Sequence, residues 1–285
     1  MSRNIPRDTM ALPESVDEAL DILAASDIET VPIAGATWIM RGPTRYEPIP
    51  PRLVALNRIA ELREYDFDSD PIHLGAMATH DLIARSLPSG ADLRCLALAA
   101  HQSANPGIRR LATVGGNLCV VGFAAADLVP ALMVLDATVC LALPGRRRLE
   151  LDLSEFMAFR RKPGRYLTTG VRFARNARIS AHVRVPMRDY PVCIVSLSVG
   201  MDASGRIADL RLAVGAVEED GRRWKEFEDE ARGSEPDPVA MGELARKLST
   251  TLTPRSAHDA PGWYRVQVLP AMVRRAFAQV RAEMR

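Results

Sequence analysis

The sequence predicts an α+β protein in three parts: a small βαβ unit, a middle region of mixed strands and helices, and a C-terminal antiparallel sheet covered by helices. Three observations carry this prediction. Strand and helix patterns alternate through residues 15–56, as a parallel βαβ layer requires. The middle combines short apolar strands with alanine-rich and apolar helices. Beyond about residue 176 the chain turns to strand-like runs joined by short turns, and then to two helices. The units so divided are residues 1–57, 58–176 and 177–285. At 285 residues, 47% of them apolar and 25% charged, the chain can build two or three subdomains with cores of their own.

Taken in order, Ser15 caps a helix that runs to residue 25, with Val16, Ala19, Leu20 and Leu23 on one face and acids in its first turn. Residues 27–29, beginning with Asp27, break it. Strands follow at 30–34 and 52–56. Residues 71–77 form a strand that ends at Thr79, the cap of a helix over 81–85. A helix spans 93–103, Pro106 ends it, and 108–113 lead into the pair Gly115-Gly116. Residues 127–135 form a short apolar helix. Residues 138–143 form a buried strand that Gly145 turns towards 149–151. Asp152 or Ser154 caps a helix over 156–159, and 166–173 is another strand. In the last part strands cover 180–185, 192–202 and 207–217, with Asp202-Ala203-Ser204-Gly205 as the clearest hairpin signal. The highly charged stretch 218–237 reads as a mobile loop. Helices over 237–250 and 262–284 close the chain. The last places Val266, Leu269, Val273 and Phe277 on one side, with Arg265, Arg274, Arg275 and Arg281 around the rest.

Composition excludes several classes of function. Basic and acidic side chains number 37 and 35, so the net charge of +2 supplies no field for nucleic acid or an anionic membrane. The basic runs Arg146-Arg147-Arg148 and Arg160-Arg161-Lys162 read as solvated turn charges, with a partner surface or a nucleotide phosphate as the other uses open to them. Cys95, Cys119, Cys140 and Cys193 lie far apart among small or apolar neighbours, which makes them buried free thiols in a reducing compartment rather than cluster ligands. The five histidines lack ligand spacing, so no metal site is expected. No apolar run reaches transmembrane length, and the start of the chain, with Arg3, Pro6, Arg7 and Asp8, has no secretory core. A cytoplasmic protein is expected.

The chemistry-bearing feature is Thr113-Val114-Gly115-Gly116-Asn117, followed by Ala124-Ala125-Ala126-Asp127. Two adjacent glycines offer a bare backbone that can take positive φ and approach a ligand closely. Thr113 and Asn117 add polar side chains, and Asp127 stands where an apolar helix begins. Such a loop can hold a pyrophosphate without a lysine. A tight turn between two elements is the other reading, and the loop alone leaves both open.

A second glycine loop, Ile33-Ala34-Gly35-Ala36-Thr37, precedes it. With Leu74-Gly75-Ala76-Met77-Ala78-Thr79-His80, Asn105-Pro106-Gly107-Ile108-Arg109 and Ala125-Ala126-Asp127-Leu128-Val129-Pro130-Ala131-Leu132, the ordered set resembles the FAD-binding, or medium, subunit of the molybdenum hydroxylases, the xanthine and carbon monoxide dehydrogenase type. The stretch from Ile194-Val195-Ser196 to Trp263-Tyr264-Arg265 resembles that family's separate C-terminal domain. The likeness covers nearly the whole chain.

The resemblance implies a two-part N-terminal FAD-binding domain. Ala34, Gly35, Ala36, Thr37 and Trp38 in the first loop, and Thr113, Gly115, Gly116 and Asn117 in the second, would hold the FAD pyrophosphate through backbone N–H groups. Asp127 would bind the ribose or adenosine side, or cap its helix against the loop. Leu167 would lie near the adenine or the flavin. Tyr190, in Arg188-Asp189-Tyr190, would contact the flavin or serve as an ordinary boundary aromatic. Molybdopterin and [2Fe–2S] clusters would belong to a large molybdenum subunit and a small iron–sulfur subunit. FAD here would pass their electrons to an external acceptor, with no catalytic residue and no metal in this chain.

Departures from the family's pattern are local. The second glycine usual in the first loop is Ala36, Trp38 is bulky, and Leu118 to Ala126 carries Phe123 where relatives are polar and one residue shorter. The acid that often follows Gly164 is missing. These departures leave a second reading, a structural subunit that has lost FAD.

Overall fold

A computed structural model describes residues 9–25, 28–162, 164–187 and 190–284. Residues 1–8, Asp27 and the pair Arg188-Asp189, all cited above, lie outside them. The first sheet is parallel. Strands β1 (Met10–Ala11), β2 (Thr30–Ile33) and β3 (Arg52–Ala55) lie in the order β1-β3-β2, with Val31 opposite Leu53 and Ile33 opposite Ala55. Helix α1 (Val16–Ala25) covers this sheet with Val16, Ala19 and Leu20, and Ser15 Oγ accepts the Glu18 N–H at 3.1 Å, as its capping role requires.

The middle part is built on five antiparallel strands: β4 (Tyr65–Asp66), β5 (Ile72–Gly75), β6 (Thr138–Leu143), β7 (Arg147–Asp152) and β8 (Leu167–Phe173). Their order is β4-β5-β8-β6-β7. Helices α2 (His80–Ser86), α3 (Arg94–Gln102), α4 (Pro106–Arg109), α5 (Val114–Cys119), α6 (Leu128–Val134) and α7 (Leu153–Phe159) surround it. Every residue of α6 is buried, so this helix is the core of the subdomain. Between Asp152 and Ser154 the cap is Asp152, which accepts the Glu155 N–H. Pro106 does not end α3. It opens α4, where a missing N–H costs nothing, and Asn105 caps that helix by accepting from Ile108.

The C-terminal sheet is antiparallel, with β9 (Ile179–Met187), β10 (Tyr190–Met201), β11 (Ile207–Gly215) and β12 (Arg222–Arg223) in the order β12-β11-β10-β9. Helices α8 (Lys225–Ala231), α9 (Pro238–Leu248) and α10 (Gly262–Glu283) cover it. Two expectations are overturned here. Residues 218–237 are not a loop: they hold β12 and α8, fixed by the buried side chains of Trp224, Phe227 and Ala231. Spacings of three and four put these apolar groups on one face, which the surrounding charges had obscured. Arg265 is not on the solvated side of α10. It is fully buried, on the face shared by Leu269, Val273 and Phe277, whereas Val266 is only half-buried.

The C-terminal sheet is fastened to the middle part along α6 and α3. A side chain at Gly215 would stand 2.7 Å from Pro130 Cγ, so β11 meets α6 backbone to ring. Ala216 N–H donates to Ala124 O at 2.9 Å, and Ser180 Oγ accepts from Cys95 N. All four cysteines are free.

Candidate functional site

One cleft of about 1120 Å³ opens where the three parts meet. Ordinary small-ligand pockets span roughly 300–1,000 Å³, so this one is of dinucleotide size. All twelve residues singled out from the sequence line it: Ala34, Gly35, Ala36, Thr37, Trp38, Thr113, Gly115, Gly116, Asn117, Asp127, Leu167 and Tyr190.

The two glycine loops touch. A Cβ at Gly35 would sit 1.7 Å from Leu111 O, so only glycine lets the first loop lie against the backbone that leads into the second. The next residue, Ala36, adopts φ 62°, the left-handed conformation that glycine takes freely and alanine resists.

The second loop is ordered from β5. Val114 and Gly115 donate to Ala78 O and Ala76 O at 2.9 and 2.8 Å, and His80 N–H donates to Ala112 O. Gly115 and Gly116 do not take positive φ. They form the first turn of α5, capped by Thr113 Oγ1, which accepts the Gly116 N–H at 3.1 Å. A Cβ at Gly115 would meet Ala76 Cβ at 3.0 Å, so glycine serves close packing there. Asn117 N–H donates to Thr113 O.

The loops therefore offer different things, where the resemblance implied that both hold the pyrophosphate through backbone N–H groups. N–H groups of the second loop are used inside the fold. Those of Gly35, Ala36 and Thr37 have no acceptor among the described residues. They face a cleft whose charged lining is four cations, Arg41, Arg160, Lys162 and Arg184, and one carboxyl group, Asp127. This is the donor set and the charge balance that a diphosphate needs.

Asp127 does not cap α6. That bond comes from Asn117, whose Oδ1 accepts the Leu128 N–H at 3.2 Å. Asp127 turns instead to β9, where Arg184 Nε lies 3.0 Å and His182 Nε2 4.0 Å from its Oδ1. Burial pushes its carboxyl group up to about 7, against the pull of Arg184. Burial likewise pushes His182, paired with Ser196 Oγ at 2.9 Å, down to about 3, and His80, paired with Ser103, down to about 4. Arg184 also donates to Gln102 O, so β9 is tied to the end of α3 beside the cleft.

An aromatic cluster forms part of the wall. Trp38 and Phe123 rings lie 4.6 Å apart, Phe123 and Tyr190 6.2 Å apart, edge to face, and the guanidinium groups of Arg45 and Arg41 lie over Trp38 and Tyr190.

Sequence reasoning missed Arg184 and His182, although their spacing of two in a strand puts them on one face with Ser180. It also misplaced Arg160. That side chain is 1% exposed, not a solvated turn charge. Among the described residues no group of side chains could hold a metal, and no helix is long and apolar enough to cross a membrane.

A parallel βαβ unit, an antiparallel five-stranded subdomain and a helix-covered sheet around a cationic, dinucleotide-sized cleft define a protein built to hold a diphosphate-containing cofactor. Residues 6–186 match the family described as the FAD binding domain in molybdopterin dehydrogenase, and residues 181–280 match the CO dehydrogenase flavoprotein C-terminal domain. The chain belongs to this family: it is an FAD-binding medium subunit of the molybdenum hydroxylase type, an oxidoreductase component, and its cofactor is FAD. It is 25% identical to the glyceraldehyde dehydrogenase medium chain of Sulfolobus acidocaldarius, over 96% of this chain and 99% of that one. It is 26% identical to the nicotine 6-hydroxylase medium subunit of Paenarthrobacter nicotinovorans, over 98% and 99%. In fold it is similar to the CO dehydrogenase of Oligotropha carboxidovorans, with a TM-score of 0.85, 22% identity, and coverage of 96% of this chain and 97% of that chain.

Proposed function

We propose that this chain is the electron-transfer subunit of a cytoplasmic, multi-subunit molybdenum hydroxylase. Its partners are a large subunit with the molybdenum cofactor, where substrate is oxidised, and a small subunit with [2Fe–2S] clusters. The observation that carries this reading is the convergence of both glycine loops on one dinucleotide-sized cleft with an excess of cations. Residues 1–57 and 58–176 act together as the FAD-binding domain, and 177–285 form the domain that closes the cleft.

The residues divide the work of holding FAD. Free N–H groups of Gly35, Ala36 and Thr37 hold the pyrophosphate. Gly115 and Gly116 let the second loop come close, and the hydroxyl of Thr113 and the carboxamide of Asn117 add polar contacts. Asp127 meets a ribose-type hydroxyl, braced by Arg184. Leu167 supplies apolar wall, and Trp38 and Tyr190 supply aromatic wall. When bound, the flavin takes up electrons singly or in pairs and passes them to an external acceptor. The chain's own part is position and electrostatics, with no catalytic side chain.

The test is the native complex. It should contain flavin near one per copy of this chain, together with molybdenum and iron, and its flavin absorbance should bleach when substrate is added. A complex without flavin, or with flavin that substrate leaves oxidised, would overturn the reading.

A further inference from the structure

Arg160 follows α7 and crosses the base of the cleft wall. Its Nη1 donates to Leu118 O at 2.5 Å and Val120 O at 2.7 Å, the carbonyl groups at the C-terminal end of α5. Its Nη2 pairs with Asp220 Oδ1 at 2.5 Å, and Arg161 holds the other oxygen of the same carboxylate at 2.6 Å. Asp220 belongs to the segment between β11 and β12, so the guanidinium plane is fixed from two domains. These three contacts engage three of the five guanidinium N–H groups. The Nε–H is buried and has no acceptor among the described residues, while the side chain, 1% exposed, lines the cleft. A buried, bare donor on a cation is costly. Of the five arginine Nε atoms so placed among the described residues, those of Arg160 and Arg184 belong to cleft-lining side chains. That of Arg184 lies 3.0 Å from Asp127, so that of Arg160 marks the place where a ligand atom completes the set. Two neighbouring polar groups of the cleft lining are already occupied with each other: Cys119 Sγ and Thr168 Oγ1 lie 3.1 Å apart.

Position and chemistry decide which part of a ligand that is. Arg160 is bound at the C-terminal end of α5, whereas the Thr113–Gly116 turn is its N-terminal end, and at 1.5 Å per residue the two ends stand roughly 7 Å apart. The donor is therefore displaced along the cleft from the glycine turn. It also braces the start of the segment that carries Phe123 to its contacts with Trp38 and Tyr190. A charged N–H pairs most strongly with an anionic oxygen and also donates to a carbonyl. With the pyrophosphate assigned to the free N–H groups of Gly35, Ala36 and Thr37, the carbonyl oxygens are left to Arg160. Of the two aromatic ends of FAD, only the isoalloxazine carries carbonyl oxygens.

We propose that Arg160 is a cofactor-binding residue whose Nε–H donates to an acceptor on the ribityl–isoalloxazine half of FAD. The proposal rests on the reading of the cleft as the FAD site. A fixed cation there also favours the more negative, reduced cofactor, and so raises its midpoint potential.

The test uses the full chain with FAD, FMN and ADP as probes, followed by calorimetry and flavin fluorescence. Arg160→Gln should weaken FAD and FMN by about tenfold or more, leave ADP within about twofold, and lower the midpoint potential of bound FAD. Arg160→Lys, which keeps the charge without the planar fork, should recover part of the potential but little of the affinity. Should Arg160→Gln fail to fold, the Lys variant alone gives the same FAD-against-ADP split. Equal losses for FAD and ADP would reduce Arg160 to a structural brace and overturn the proposal, as would unchanged FAD affinity and potential. Absence of FAD binding by the unaltered chain would instead overturn the FAD reading, and this inference with it.

Discussion

Trp38 and Phe123, two residues by which this sequence departs from its family's pattern, are in ring contact across the cleft wall at 4.6 Å, tilted by 44°. The bulky residue after the first loop and the aromatic one in the longer segment after the second thus explain each other. Arg45, over the Trp38 ring and paired with Glu47, holds the pair in place. The contact should contribute about 0.5–1.5 kcal/mol beyond the area it buries. A double-mutant cycle on Trp38→Ala and Phe123→Ala, followed by urea unfolding, measures it. A coupling energy near zero would mean that the two changes arose independently.

Ala36 holds φ 62°, which costs an L-residue about 1–2 kcal/mol. Ala36→Gly relieves that strain but adds freedom to the unfolded chain worth about 0.4–1 kcal/mol. The net expectation is a gain of between about 0 and 1.6 kcal/mol in unfolding free energy. Ala36→Val, with a branched side chain in the same conformation, should lose more than about 1 kcal/mol. If the two variants unfold alike, backbone strain at this position is not the deciding quantity.

Buried titrating groups near the cleft pull stability in opposite directions with pH. His80 and His182, pushed down to about 4 and about 3, stay neutral in the fold while the unfolded chain protonates them below about 6.5. Their contribution is complete above that pH and is lost as the solution is acidified through the folded values. Asp127 is pushed up to about 7, so the folded chain keeps a proton that the unfolded chain releases above about 4. Its contribution falls as pH rises across that window. Asp127→Asn should therefore steepen the rise of stability with pH between about 4.5 and 6.5, by up to about 1.4 kcal/mol per pH unit. Parallel stability curves for the two proteins would show that Asp127 keeps an ordinary carboxyl group in the fold.

Arg265 joins three stretches of the C-terminal domain from inside. It donates to Val192 O and Ala216 O at 3.0 and 2.9 Å and to Ala260 O at 3.3 Å, and it pairs with Asp259 at 2.8 Å. Removing one member of a buried charged network leaves the others uncompensated and costs about 3–5 kcal/mol. Arg265→Met keeps most of the volume and should fall in that range by calorimetric or urea unfolding. A loss below about 1 kcal/mol would mean that water replaces the guanidinium.

What the sequence made legible was the spacing of apolar groups and the residues at turns. The strands around Val31, Leu141 and Ile194 and the caps at Ser15, Thr79 and Asp152 follow from rules that act within a few residues. The same holds for the two glycine loops, each recognisable on its own. Two of the misreadings share one cause: a charged residue was taken as solvated. Arg160 and Arg265 are buried because partners distant in sequence, such as Asp220 and Val192 O, satisfy them. Nothing local marks such a residue. Nor could local reading show that the second loop's N–H groups are consumed by Ala76 and Ala78, since those carbonyl groups belong to a separate segment just beyond β5.

The adjacent glycines can be separated by experiment. At Gly115 an added methyl group meets Ala76 Cβ at 3.0 Å and Ala76 O at 3.1 Å, rigid neighbours in the interior. At Gly116 it meets only Thr113 Oγ1 at 3.1 Å and otherwise stands on the cleft side, in a helix that alanine favours. Gly115→Ala should thus destabilise the fold by about 1–3 kcal/mol through overpacking. Gly116→Ala should leave stability equal or up to about 1 kcal/mol higher through helix propensity, while its methyl group takes space from the cofactor. FAD affinity should then fall by about tenfold, a change of about 1.4 kcal/mol. Unfolding curves and FAD titrations of both variants decide the matter. A Gly116→Ala protein that binds FAD as the unaltered chain does would show that the second loop keeps its distance from the cofactor, and would leave the first loop, with its free N–H groups at Gly35, Ala36 and Thr37, as the whole of the pyrophosphate site.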